Sequence, residues 1–133
     1  EERREQLLMD LSLNIRALVS QRLVPREGGA GRIAATEIML NSPLIQDLIF
    51  KGEVAKIKEV MARSTRIGMK TFDQCLFELY EGSFISYDDA IRNADSKNEL
   101  RLRVKLESKR DSRPADDAGA LSLLEEEDEG RSL

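Results

Sequence analysis

The sequence from residue 42 to residue 53 reads Ser42-Pro43-Leu44-Ile45-Gln46-Asp47-Leu48-Ile49-Phe50-Lys51-Gly52-Glu53. This pattern predicts a short helix over residues 43–51 with its own start and stop. The Ser42 hydroxyl can cap the first turn, and Pro43 suits the first helical position, where its missing N–H is not needed. Gly52 can supply the left-handed residue that ends the helix. The apolar residues fall at helical spacing on one face, which comprises Leu44, Ile45, Leu48 and Ile49.

The chain has 133 residues, of which 41% are hydrophobic and 35% are charged, and it contains no tryptophan. This length allows one domain with a tail, and the composition is typical of a soluble, helix-rich protein. No apolar run reaches the roughly 20 residues that span a bilayer. The single Cys75 cannot form an internal disulfide, so we expect a cytoplasmic location. Because the sequence begins at Glu1, we expect it to be a fragment of a longer protein.

The formal net charge of −4 is concentrated at the C-terminal end. From Ser108 onward there are four Lys and Arg residues against eight Asp and Glu residues, whereas residues 1–107 carry 17 of each. This balance argues against nucleic acid as a partner. The composition of residues 108–133 predicts a disordered acidic tail. Within it, Leu121, Leu123 and Leu124 could dock a partner, although we favour a solvated tail.

The N-terminal region is predicted to contain a long helix followed by a β-hairpin. Apolar residues at helical spacing indicate a helix from about Glu2 to Arg22, with a sheet beneath it in the intact protein. Extended segments on both sides of the glycine-rich loop at residues 28–31 predict the hairpin. We favour a plain turn over a phosphate-binding loop, because such a loop requires a following helix and normally ends in Gly-Lys-Ser/Thr. Here Arg32 and a strand follow.

Further helices are predicted after the central one. The first runs from Val54 to about Ile67, and the others begin at Thr71, Ser86 and Ser96. Thr71 and Ser96 each open a capping-box pattern. In the last segment, apolar residues alternate with charges as in a strand, but the cap favours a helix through Leu106. The predicted domains are residues 1–41, a helical bundle at 42–107 and the tail at 108–133.

The residues alone indicate no catalytic, cofactor-binding or metal site. The chain has no histidine and no Walker A motif, and no nucleophile lies beside a base. Asp88 and Asp89 are adjacent, so their side chains point about 100° apart on a helix and suit its N-terminal dipole. Cys75 lies on an apolar face and is interpreted as a small buried hydrophobe. The sequence therefore predicts a mainly α fold with one β-hairpin.

Several motifs in this order resemble the type IV pilus retraction ATPases, the PilT/PilU family. The central helix is similar to the helical signature near the C-terminus of that family, and Leu48–Glu53 is closest to the PilU branch. The remaining matches are Ser20-Gln21-Arg22-Leu23, Gly31-Arg32, Glu37-Ile38, Ile67-Gly68-Met69-Lys70-Thr71-Phe72-Asp73-Gln74, Leu79-Tyr80, Ile85-Ser86-Tyr87 and Asn98-Glu99-Leu100-Arg101-Leu102.

The resemblance implies the end of a RecA-like α/β P-loop ATPase domain plus an appended helical bundle. Family members are hexameric motors that use ATP and Mg²⁺ to depolymerise pili, so the intact parent is expected to form a homo-hexamer. Possible partners are a sister retraction ATPase and the inner-membrane platform protein, with a location peripheral to that membrane. The nucleotide site would lie upstream of Glu1, and this fragment alone should bind neither ATP nor Mg²⁺.

The resemblance also suggests interface or coupling residues on the central helix, namely Ile45, Asp47, Leu48, Ile49 and Lys51. Our hypothesis is that the three apolar residues pack the helix while Asp47 and Lys51 face a neighbouring subunit or the pilus platform. The alternative is that the whole motif belongs to the core. Two arginines of the better-known branch are replaced here by Gln46 and Phe50, so roles that depend on them do not carry over. A related secretion or pilus-assembly ATPase and a free-standing helical adaptor remain alternative functions.

Overall fold

The computed structural model describes residues 1–110. It contains six α-helices, a two-stranded antiparallel hairpin and a 3-10 turn at Thr65–Ile67, which confirms the prediction of a mainly α fold with one hairpin. No helix in this range is long and apolar enough to cross a bilayer. In chain order the elements are α1 (Glu2–Asn14), β1 (Ala17–Pro25), β2 (Arg32–Leu40), α2 (Pro43–Lys51), α3 (Val54–Arg63), α4 (Phe72–Glu81), α5 (Tyr87–Asn93) and α6 (Lys97–Glu107).

The predicted helix from Glu2 to Arg22 is wrong in its second half. Helix α1 ends at Asn14, and the segment from Ala17 onward is strand β1, which pairs with β2 along its whole length. The Asn41 side-chain amide donates to the carbonyl oxygens of Ser12 and Ile15, both at 2.8 Å. Two carbonyls that helix α1 would leave unpaired at its end are thereby satisfied. Helical spacing alone could not reveal this boundary, because the strand partner lies further along the chain.

Many apolar side chains of α1 and β1 are exposed in this structure. Helix α1 packs mainly on α2, and its one buried residue is Ser12. The sheet expected beneath α1 in the intact protein therefore stays a prediction. The exposed apolar residues of the two elements are Leu7, Met9, Leu11, Leu13, Leu18, Val19 and Leu23.

Two hydrophobic cores organise the described chain. The helical core lies between the hairpin and α4–α6 and comprises Val24, Ala35, Phe72, Cys75, Leu76, Tyr80, Ile85, Ala90, Ile91, Leu100 and Val104. The methionine-rich core lies between β2, α2, α3 and the segment before α4 and comprises Met39, Ile45, Ile49, Met61 and Met69. Because β2 contributes to both cores, packing is continuous across the predicted boundary at residues 41 and 42, and that domain division stays a prediction.

Cys75 is buried in the helical core, as predicted. Its sulfur accepts a hydrogen bond from the Thr36 backbone N–H at 3.3 Å. The side chain therefore fills space between α4 and β2.

The helix ends follow local sequence signals in most cases. The Thr71 capping box is confirmed, since Thr71 and Gln74 satisfy each other's backbone N–H groups. Ser86 caps α5 by accepting from the Asp89 N–H at 3.1 Å. The capping box at Ser96 is wrong, although the helix itself is confirmed. There the carboxylate of Asp73 accepts from the backbone N–H of Ser96 at 2.9 Å, so a residue of another helix takes the place that Glu99 would have in a capping box.

The chain remains packed beyond the predicted start of the tail at Ser108. The Arg110 guanidinium donates to the carbonyls of Tyr80 and Ile85, and it pairs with Glu27 at 2.9 Å. Residues 108–110 therefore belong to the folded part, which corrects the predicted boundary. The other tail predictions concern residues 111–133 and lie outside the described residues.

Candidate coupling surface

Helix α2 begins and ends at the predicted residues. Ser42 has extended backbone angles and its hydroxyl accepts from the Ile45 N–H at 3.4 Å, while Pro43 occupies the first turn. Gly52 has a φ of 70°, in the left-handed region, and its N–H donates to Ile49. These ends set the length of the helix, and the packing of its apolar residues determines which side chains face solvent.

The apolar face of α2 is buried in three of its four predicted positions. Ile45 is fully buried, and Leu48 and Ile49 are nearly so. Leu44 is 54% exposed, so its assignment to the apolar face is wrong. The buried face of α2 is centred on Ile45 and Ile49, which pack in the methionine-rich core. Leu44 lies at the edge of this face.

Asp47 and Lys51 lie on the exposed side of α2 and pair with each other. The Lys51 Nζ is 2.6 Å from Asp47 Oδ2, and both side chains are about half exposed. The hydrogen bond to Asp47, together with its negative charge, raises the pKa of Lys51 above its ordinary value. The two charges are one turn apart, so they form an exposed ion pair on the helix surface.

An apolar groove runs beside this charged pair. It has a volume of about 310 Å³ and lies between α1 and α2, with Met9, Leu13 and Phe50 among its lining residues and Asp47 at its rim. Sequence reasoning did not select Met9, Leu13 or Phe50 as functional candidates. All three are large apolar side chains that remain exposed, so the groove is a surface that a partner could cover.

The chain resembles known pilus motor proteins in sequence and in fold, although no family model matches it. It is 53% identical over 111 residues to the type IV pilus ATPase PilU of Pseudomonas aeruginosa, which covers 84% of this chain and 29% of that protein. It is 37% identical over 84 residues to the type IV pilus retraction ATPase PilT of the same organism, covering 63% of this chain and 24% of that protein.

A crystal structure of the pilus retraction motor PilT with bound ADP superposes with a TM-score of 0.63 at 30% identity. That match covers 74% of this chain and 26% of the PilT chain. The chain belongs to the PilT/PilU family. It spans less than a third of the length of the relatives it matches.

The glycine-rich loop of this PilT/PilU-family chain is a hairpin turn and lacks the geometry of a phosphate-binding loop. The glycine-rich loop closes a hairpin, with the Arg26 N–H donating to Gly31 at 3.0 Å, and strand β2 follows it. A Cβ added at Gly28, Gly29 or Gly31 would meet no atom within 4 Å, so the loop does not close around a cradle. The predicted plain turn is therefore confirmed. Within residues 1–110, no group of His, Cys, Asp or Glu side chains is arranged to hold a metal ion.

The predicted site residues thus separate into two groups in the PilT/PilU-family fold. Ile45 and Ile49 lie together in the methionine-rich core and Leu48 is also buried, whereas Asp47 and Lys51 pair at the surface. The burial agrees with the packing part of the hypothesis. The role of the charged pair in an interface stays a prediction.

Proposed function

We propose that this chain is the C-terminal part of a PilU-like hexameric ATPase that powers type IV pilus retraction and twitching motility. The observation that supports the proposal is the 53% identity to PilU across 84% of the chain. Two proteins at this level of identity have the same fold and, in most families, a related function. The similarity to PilT in sequence and fold supports the same class of motor.

In this proposal the nucleotide chemistry belongs to other segments of the intact protein. The related PilT structure holds ADP, which supports nucleotide binding by the parent, with Mg²⁺ as the expected partner of the phosphates. The described residues contribute packing and coupling. The protein would act in the cytoplasm at the inner-membrane platform of the pilus machine, alone or beside a sister ATPase.

Helix α2 is the proposed coupling element because one of its faces is buried in the core and the other is exposed to a partner. Its buried face fixes its position in the methionine-rich core, so a displacement of the helix must move that core with it. Its exposed face presents Asp47 and Lys51 beside an apolar groove, a combination of charged rim and apolar centre that is typical of protein interfaces. The proposed partner surface is a neighbouring subunit or the platform protein.

Exchanging the two charges tests this coupling role in the full-length protein. The double variant Asp47→Lys with Lys51→Asp keeps an i,i+4 ion pair, so α2 should stay folded. Because like charges would then face each other across the interface, we expect twitching to fall by about tenfold, the effect of about 1.4 kcal/mol. Twitching-zone area, measured at equal protein level, gives the readout.

A matched control is available on α6. Arg103 and Glu107 form an ion pair at 3.1 Å with the same spacing, so Arg103→Glu with Glu107→Arg is the corresponding exchange. Arg103 also lies 4.3 Å from the Phe77 ring centroid, so this exchange removes one contact more than the exchange on α2 and is the more demanding control for folding. This control should leave twitching near the wild-type level. Unchanged twitching in the α2 variant, with normal protein level, would reject the interface role of Asp47 and Lys51.

A further inference from the structure

Asn41, which lies between β2 and α2, makes three hydrogen bonds to the junction of α1 and β1. Its side-chain amide nitrogen donates to the carbonyl oxygens of Ser12 and Ile15, both at 2.8 Å. Its backbone N–H donates to the Arg16 carbonyl oxygen at 3.0 Å. One residue at the start of α2 therefore pairs with the backbone at the end of α1.

The side-chain amide of Asn41 acts here as a donor. Its own oxygen, Oδ1, is buried and accepts no hydrogen bond from any residue in the range 1–110. A buried acceptor without a partner lowers the stability of a fold. The favourable contribution of this amide therefore comes from the two bonds that its nitrogen donates.

Few other contacts fix the last turn of α1. Ser12 is the one buried residue of the helix, and its hydroxyl donates to a carbonyl of the same helix at 2.7 Å. Leu11 and Leu13 remain exposed. Ile15 packs against the methionine-rich core, but it follows the helix. The position of the last turn of α1 therefore depends on the bonds from the Asn41 amide.

These bonds lie beside the apolar groove between α1 and α2. Ser12, which accepts from Asn41, lines the groove together with Pro43, the second residue after Asn41. At the opposite end of α2, a Cβ added at Gly52 would lie 3.4 Å from the Leu8 side chain, so the two helices meet there through van der Waals contact. The hydrogen bonds of Asn41 fix their spacing at the end where Ser12 and Pro43 face the groove.

We propose that Asn41 is a positioning residue for the coupling surface. Its side-chain amide holds the last turn of α1 beside the start of α2 and thereby keeps Met9 and Leu13 across the groove from Phe50. Asn41 is not among the residues that line the groove, so it acts through α1. The role of the groove in coupling rests on the proposed function, whereas the hold of Asn41 on α1 does not.

Hydrogen exchange of the full 133-residue chain tests this hold. Asn41→Ala removes both donated bonds, so we expect amides in the last turn of α1 to exchange about tenfold faster while those of α4 keep their wild-type rates. Asn41→Asp keeps the shape of the side chain but has no N–H to donate, and its carboxylate would face two carbonyl oxygens at a helix C-terminus. We therefore expect the same amides to exchange at least as fast as in Asn41→Ala.

Asn14→Ala is the matched control. The Asn14 side-chain amide donates at 2.8 Å to the Asp10 carbonyl of the same helix, so its loss should not raise the exchange rates of α1. Wild-type rates in α1 of Asn41→Asp would overturn the proposal, because the shape of the side chain would then be sufficient. An equal rise in α1 and α4 of Asn41→Ala would also overturn it, since that result would show global destabilisation.

Twitching with the full-length protein tests the link to coupling. We expect Asn41→Ala to lower twitching-zone area severalfold at equal protein level. Combining it with Phe50→Ala should give no less twitching than the more severe single variant, because both act through one groove. Additive losses would overturn this link. Faster exchange in α1 with wild-type twitching would reject the groove as part of the coupling surface, a failure of the proposed function, whereas unchanged exchange in α1 would reject the role of Asn41 itself.

Discussion

Replacing Ile45 with alanine should lower the free energy of unfolding by about 3 kcal/mol, because a fully buried side chain is removed and its space is only partly refilled. Ile45 packs with Met39, Met61 and Met69 from three other parts of the chain. Alanine is the best helix former, so α2 itself would lose no propensity. Urea denaturation of the full chain, followed by circular dichroism, gives the free-energy difference.

The neighbouring residue provides the control for this loss. Leu44 is one position earlier on the same helix, but more than half of its side chain is exposed. Leu44→Ala should therefore change the free energy of unfolding by no more than about 0.5 kcal/mol. Equal losses in the two variants would mean that α2 does not present Ile45 to the methionine-rich core.

Replacing Arg110 with methionine should lower the free energy of unfolding by about 2 kcal/mol, since the change leaves the Ile85 carbonyl oxygen without its donor and removes the ion pair with Glu27. The Arg110 guanidinium donates to Tyr80 O at 2.6 Å and to Ile85 O at 3.2 Å, and lies 4.5 Å from the Tyr80 ring centroid. It also pairs with Glu27 near the hairpin turn. The loss would appear as a lower urea midpoint in the same assay.

Lys109→Met is the matched control for Arg110→Met. The two residues are adjacent and each substitution removes one positive charge, but the Lys109 side chain is exposed. Its effect should stay within about 0.5 kcal/mol. If Arg110→Met were as neutral as Lys109→Met, residues 108–110 would not be part of the folded unit.

The elements that were predicted correctly are specified by residues that lie within a few positions of one another. Ser42 and Gly52 set the bounds of α2, and Thr71 with Gln74 sets the start of α4, because a cap and its N–H partner lie within one turn. The hairpin turn was predictable for the same reason, since glycines with positive φ close it. Such signals need no knowledge of the tertiary structure.

The elements that the sequence did not predict depend on partners far along the chain. Strand β1 exists because β2 pairs with it, and the spacing of Leu18 and Val19 suits a helix as well as a strand. The acceptor of the Ser96 N–H at the start of α6 is Asp73, which is 23 residues away. Arg22 and Asp95 pair across 73 positions, and Arg110 reaches Glu27 across 83. No local pattern links such residues.

The candidate site was predictable in part for the same physical reason. Helical spacing correctly placed Ile45, Leu48 and Ile49 inside and Asp47 and Lys51 outside, but it wrongly placed Leu44 on the buried face. It could not place Met9 and Leu13 beside α2, because the packing of α1 on α2 is a tertiary contact. The groove at the coupling surface could therefore be identified only from the three-dimensional structure.

A chimaera tests whether this chain is the functional C-terminal part of a PilU-like motor. The 111-residue stretch of Pseudomonas aeruginosa PilU that matches this chain would be replaced by the corresponding residues of this chain. The chimaera would be expressed in a strain without its own PilU, beside native PilU as the reference, and twitching-zone area would be measured at equal protein levels. We expect the chimaera to restore twitching to near the level given by native PilU. A chimaera that accumulates normally but leaves twitching at the level of the strain without PilU would contradict it.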